Sequence, residues 1–199
     1  MTTKKMLVRD LSIFFIILLS TLYVTAISAH NIGDVTLPDK VTLQNTDVEL
    51  QLNGIGYRTR FVFKIYVGAL YTETKVNSRD AVQALAGPKR VAMHIIYDLV
   101  AREKMVKAWH EGFEENNSHE QLEKLQARLD TFVNYFPDLK AGDEVLLDYI
   151  PATGTRVTIN GEEKGVIDGA DFYQALLDVW LGDEPADGGL KDAMLGIAE

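Results

Sequence analysis

The apolar residues of this chain switch repeatedly between a spacing of two and one of about 3.6, and the order of those switches restricts the fold more than any single motif does. Near-alternation through Val41–Leu52 and a longer two-sided run from Arg60 to Tyr71 predict two strands. Ser78 is placed to cap a short helix carrying Ala81, Val82 and Leu85, which Gly87-Pro88 stops before a third strand, Arg90 to Tyr97. Two helices follow. The first, from about Val100 to Glu115, spaces Met105, Trp109 and Phe113 along one face, and the second opens on a capping box, Ser118 to Gln121. In that second helix Leu122, Leu125, Leu129, Phe132, Val133 and Phe136 share a face until Pro137, which predicts a helix lying on a core surface.

Alternation then returns with Val145, Leu147 and Tyr149. Thr155–Ile159 and Glu162–Ile167 flank Asn160-Gly161, a strong hairpin signal because both turn positions tolerate positive φ. Asp168 is the expected cap of a last amphipathic helix, Ala170 to Leu181, with Phe172, Leu176 and Trp180 inward, and Leu190–Leu195 offers one further helical turn. The order β-β-α-β-α-α-β-β-β-α, its strands mostly meandering, argues for an α+β fold with helices layered on an antiparallel sheet. A doubly wound parallel sheet does not fit it.

The start of the chain reads differently. Lys4, Lys5 and Arg9 precede an apolar run, Leu11 to Val24, and small residues Ala26, Ser28 and Ala29, the pattern of a secretory signal peptide. Residues 1–29 are therefore expected to direct export to the periplasm or outside the cell, leaving 30–199 as one domain, with an uncleaved anchor as the alternative. No cysteine is present, so the domain must be held by its core alone. The net charge is −9, and cleavage would make the chain more acidic still. That balance excludes nucleic acid as an expected partner and opposes docking to an anionic membrane; no stable membrane insertion is expected after cleavage.

Residues 52–71 hold the candidate site. Arg58 and Arg60 stand between a glycine-bearing segment, read as a turn, and a long apolar strand. A guanidinium beside buried strand surface needs an anion: a ligand carboxylate or an internal acid such as Asp98 or Glu103. Regular pleating would put Arg60 on the face of Arg58. Phe61, Phe63, Trp109 and Trp180 could instead fill the space beside them. His30, His94, His110 and His119 show no metal spacing, and no phosphate-binding loop, dinucleotide fingerprint or Gly-x-Ser-x-Gly elbow is present, so neither metal nor other cofactor is expected.

Several segments in this order resemble the chalcone isomerase fold family, and within it the bacterial chalcone isomerase-like proteins that usually carry a signal peptide. They are Gly54-Ile55-Gly56-Tyr57-Arg58 before the strand ending Val67-Gly68-Ala69-Leu70-Tyr71, then Pro88 to Met93, Gly142 to Val145 continuing through Pro151 to Thr155, and Gly165 to Phe172. The resemblance implies an open-faced β-sandwich, a large antiparallel sheet covered by a layer of helices. For the enzymes it also implies an arginine, at the position of Arg58, with threonine and tyrosine hydroxyls near the substrate ketone. Here Ile65 replaces the threonine, or Tyr66 does if the register slips by one, and Arg102 replaces the tyrosine. Loss of such groups makes efficient cyclisation unexpected.

Non-catalytic members of the family bind fatty acids between sheet and helices, with an arginine and a tyrosine on the carboxylate. The resemblance therefore implies a binder of a fatty acid or similar apolar carboxylate, with Arg58, Arg60, Tyr66, Tyr97 and Arg102 as candidate ligand-binding residues. Two alternatives stand beside it: an intramolecular lyase or isomerase on another substrate, and a partner-binding protein with a closed core.

Overall fold

A computed structural model describes residues 28–44 and 46–198; residues 1–27 of the expected export signal lie outside the described residues. The chain opens with β1 (Ala29–Ile32) and β2 (Val35–Pro38), an antiparallel hairpin that the sequence reading missed, and then β3 (Lys40–Thr42). Next come β4 (Glu49–Arg60), β5 (Phe63–Thr72), α1 (Arg79–Ala84), β6 (Lys89–Ile95) and β7 (Leu99–Val100). Helices α2 (Arg102–Asn116) and α3 (His119–Val133) follow. The chain then forms β8 (Leu139–Lys140), β9 (Glu144–Ile150), β10 (Gly154–Ile159), β11 (Glu162–Ile167), α4 (Ala170–Leu181) and α5 (Gly188–Met194).

Seven strands make one antiparallel sheet in the order β11-β10-β9-β6-β5-β4-β3. Its helix-facing side carries the main core, in which Trp109, Phe132, Phe136 and Trp180 pack edge-on or tilted with ring centroids 5.0–5.5 Å apart. Each such aromatic contributes roughly 1.5–3 kcal/mol by leaving water. The opposite side packs Leu50, Leu52, Val67, Ala69 and Tyr71 beneath Leu37 of the β1–β2 hairpin, so the open face is partly covered. The α+β fold read from the sequence is the one observed. Among the described residues no helix is long and apolar enough to cross a membrane.

Local chemistry explains most of the elements. Ser78 accepts from the Ala81 amide, and the capping box of α3 forms in full, Ser118 Oγ accepting from the Gln121 amide while Gln121 Oε1 accepts from Ser118. Asn160 and Gly161 turn the β10–β11 hairpin with φ of 52° and 78°. Asp168, expected to cap α4, does not: Gly169 occupies that position without a side-chain bond, and Asp171 in the first turn pairs with Arg128 instead. Helix α2 starts at Arg102 and not Val100, because Leu99 and Val100 pair with β8. Its capping carboxylate comes from a distance, Asp138 Oδ1 accepting from the Arg102 amide at 2.7 Å.

One difference matters for the site. Gly54 and Gly56, read as a turn, lie inside β4, and the chain reverses at Phe61-Val62. The glycines serve packing: a Cβ on Gly56 would stand 2.6 Å from Ala193 Cβ, and one on Gly54 would collide with the Ala193 and Met194 carbonyls. Absence of side chains lets α5 lie directly on the sheet.

Candidate functional site

The registry of β4 against β5 sets Arg58 opposite Tyr66. Between this pair and the next, Thr59 opposite Lys64, the register shifts and Ile65 is left over as a bulge. The shift decides which residue stands beside the arginine: Tyr66, not Ile65. Tyr66 joins the helix-facing core, as does Leu70, and Gly68 between them meets Leu190 of α5. Arg58 and Tyr66 thus begin a strip of sheet, continued by Gly56 and Gly68, that α5 covers.

Within that strip the polar groups are arranged as follows. The Tyr66 oxygen accepts from Trp180 Nε1 at 2.9 Å. Burial pushes the Tyr66 hydroxyl up to about 12, with the Trp180 hydrogen bond and the Arg58 charge acting against the rise. The group is a neutral donor at any physiological pH, and no acceptor for its proton is found among the described residues. Arg58 Nη1 donates to the Thr59 carbonyl and lies 3.9 Å from Asp187 Oδ2, the side chains being 22 % and 17 % exposed. That carboxylate is divided three ways: Oδ1 accepts from the Leu190 amide at 3.0 Å as the cap of α5, and Oδ2 accepts from the Thr59 amide at 2.8 Å while facing Arg58. The internal acid is Asp187, and not Asp98 or Glu103, which the sequence suggested.

The other candidates are dispersed. Arg60 is exposed at the end of β4, beside the hairpin tip. Tyr97 is partly exposed, and its ring packs edge-on against Phe63 at 5.8 Å, outside the core. Arg102 donates to Asn134 Oδ1 at 2.9 Å, which ties the start of α2 to the end of α3. Trp180, which the sequence offered as a filler of this space, does pack there, whereas Phe61 and Phe63 are exposed; Asp187 completes the arrangement and was not a candidate in sequence. The only signal for Asp187 was its place before Gly188-Gly189-Leu190, a helix cap whose second oxygen is free to reach a strand.

Next to Arg58, Tyr66 and Trp180 belong to the helix-facing core, and Leu190 of α5 lies against Gly56 and Gly68. Cavities lie elsewhere. One of about 270 Å³ is lined by Lys89, Tyr149, Tyr173 and Gln174 among others, and one of about 380 Å³ by Asn53, Lys75, Val76, Asn77, Leu195 and Gly196, at the far end of α5. Among the described residues no group of three or more His, Asp or Glu side chains is placed to hold a metal ion.

Comparison with known proteins bears on the whole domain. A family model described as chalcone isomerase-like matches residues 29–196. The crystal structure of a fatty-acid binding protein from Arabidopsis thaliana superposes with a TM-score of 0.62 at 15 % identity, covering 84 % of this chain and 96 % of that one. At that identity the likeness is one of fold. No curated protein matches in sequence.

Proposed function

The chain belongs to the chalcone isomerase-like family, and we propose that it acts there as a non-catalytic binder of a fatty acid or similar apolar carboxylate. The observation that carries this reading is that Arg58 and Tyr66 face each other across β4 and β5, close enough to Asp187 for the Tyr66 hydroxyl to feel both charges. Trp180 holds the Tyr66 oxygen and so leaves its proton to point at a ligand. Asp187 stands where a ligand head group would stand, but at 3.9 Å it makes only a loose pair with Arg58. An incoming carboxylate could take a bidentate place that Asp187 does not fill.

The tail would follow the strip under α5. Leu190 already lays hydrocarbon against Gly56 and Gly68, and a fatty-acid chain displacing it would exchange one apolar contact for another. The fold likeness to a fatty-acid binding protein supports the ligand class. Catalysis is disfavoured by the same groups that favour binding: a tyrosine with its hydroxyl up at about 12 is a poor proton donor at neutral pH.

The packed core favours a second reading, a closed partner-binding protein in which Arg58 and Asp187 are a structural pair. Titration calorimetry with oleate separates the two. Saturable binding by the wild type, lost in Arg58→Ala, supports the ligand reading; no heat from either protein supports the closed core.

A further inference from the structure

The hairpin between β4 and β5 carries three consecutive apolar side chains at its tip and leaves them in water: Phe61 is 90 %, Val62 84 % and Phe63 54 % exposed. Tyr97 extends the patch through its edge contact with Phe63, and Leu99, 54 % exposed, lies two residues further along the chain. Single exposed apolar residues are ordinary, whereas a contiguous apolar tip is a contact surface. Phe61 also sits in left-handed backbone, φ 55°, a conformation that glycine or asparagine would adopt with less strain.

Charge indicates what the tip meets. Arg60 precedes it and Lys64 follows, with Lys64 Nζ lying over the Tyr57 ring at 3.6 Å, and Arg58 stands one step down the strand. The acids nearby in sequence or contact are Asp98, in the turn after Tyr97, Asp187, which is occupied by Thr59 and α5, and Asp34, exposed in the turn next to Gly33, which approaches the Tyr57 hydroxyl. In a chain of net charge −9 the two charged residues that directly flank the tip, Arg60 and Lys64, are both basic. A second copy would bring two basic collars together, and a convex tip offers no groove to a partner helix. A bilayer containing anionic lipid accommodates both features, the rings entering the interface while Arg60 and Lys64 remain level with the phosphates.

We propose that the β4–β5 hairpin is a membrane-contact tip, inserting Phe61, Val62 and Phe63 into the interface of an anionic bilayer. The overall acidity opposes long-range attraction, but the charge at the tip has the opposite sign and acts within a Debye length. The inference rests on the tip alone and holds whether or not Arg58 binds an acid.

The test uses the full chain carrying Val62→Trp, because Trp109 and Trp180 are buried and give a constant background. It is mixed with vesicles of phosphatidylcholine alone, or of phosphatidylcholine with phosphatidylglycerol, each with and without bromine on the acyl chains. The expected result is a shift of emission to shorter wavelength and quenching by the brominated chains in the anionic vesicles. Partition should weaken about tenfold or more when Arg60→Glu and Lys64→Glu are added, from two cations at the surface. Emission unmoved by either vesicle would overturn the proposal, as would equal insertion into both compositions. A shift that grows with protein concentration in the absence of vesicles would overturn it too, and would assign the tip to a second copy.

Discussion

Arg58, Tyr66 and Asp187 would decide how the proposed site behaves. The Arg58–Asp187 pair is loose and partly exposed, so it contributes at most about 1 kcal/mol to stability. Arg58→Ala is therefore expected to leave urea unfolding nearly unchanged while removing ligand affinity. Tyr66→Phe differs. It strands the buried Trp180 N–H, which should cost roughly 1–3 kcal/mol on unfolding, and it also weakens oleate binding. A Tyr66→Phe protein of unaltered stability would show that this hydrogen bond carries nothing. Arg58 was legible in sequence because a cation between apolar residues needs explaining. Asp187 was not, because it lies 128 residues from Thr59, whose amide it meets, and only the folded chain joins them.

Helix α5 is the element on which the site depends. It has only seven residues and too few internal hydrogen bonds to persist alone, so its position comes from Asp187, from Asn53 donating to the Met194 carbonyl at 2.7 Å, and from the glycines beneath it. Gly56→Val is expected to push α5 off the sheet and to destabilise the domain by roughly 1–3 kcal/mol, measured by urea unfolding. The same substitution should block the proposed tail path. The elements with internal signals were readable in advance, as the α3 capping box and the Asn160-Gly161 turn illustrate. The hairpin at Phe61-Val62 was not, since its residues are poor turn formers and the nearby glycines, which looked like the turn, are present for α5.

Over the whole molecule, the proposed membrane contact would act through the surface, whereas pH acts through buried groups. Burial brings the Lys89 ammonium down to about 8, although it donates to the Leu85 and Gly87 carbonyls. Native Lys89 then loses its proton at lower pH than the unfolded chain does, so the unfolded state binds more protons between about pH 8 and 10 and stability rises across that window. Above about pH 10 the sign reverses. Tyr66 and Tyr71, both pushed up to about 12 by burial, stay protonated in the native state while their unfolded counterparts ionise. Urea unfolding from pH 7 to 11 should show this maximum, and Lys89→Met should flatten its rising limb.

The central claim is that Asp187 occupies the place of a ligand carboxylate beside Arg58. Asp187→Asn keeps a good cap for α5 but removes the competing charge. Native mass spectrometry with added oleate, comparing wild type, Asp187→Asn and Arg58→Ala, tests it most directly. The account expects retention to rise in Asp187→Asn, by up to about fivefold for a pair worth about 1 kcal/mol, and to vanish in Arg58→Ala. Equal retention in all three proteins would contradict it.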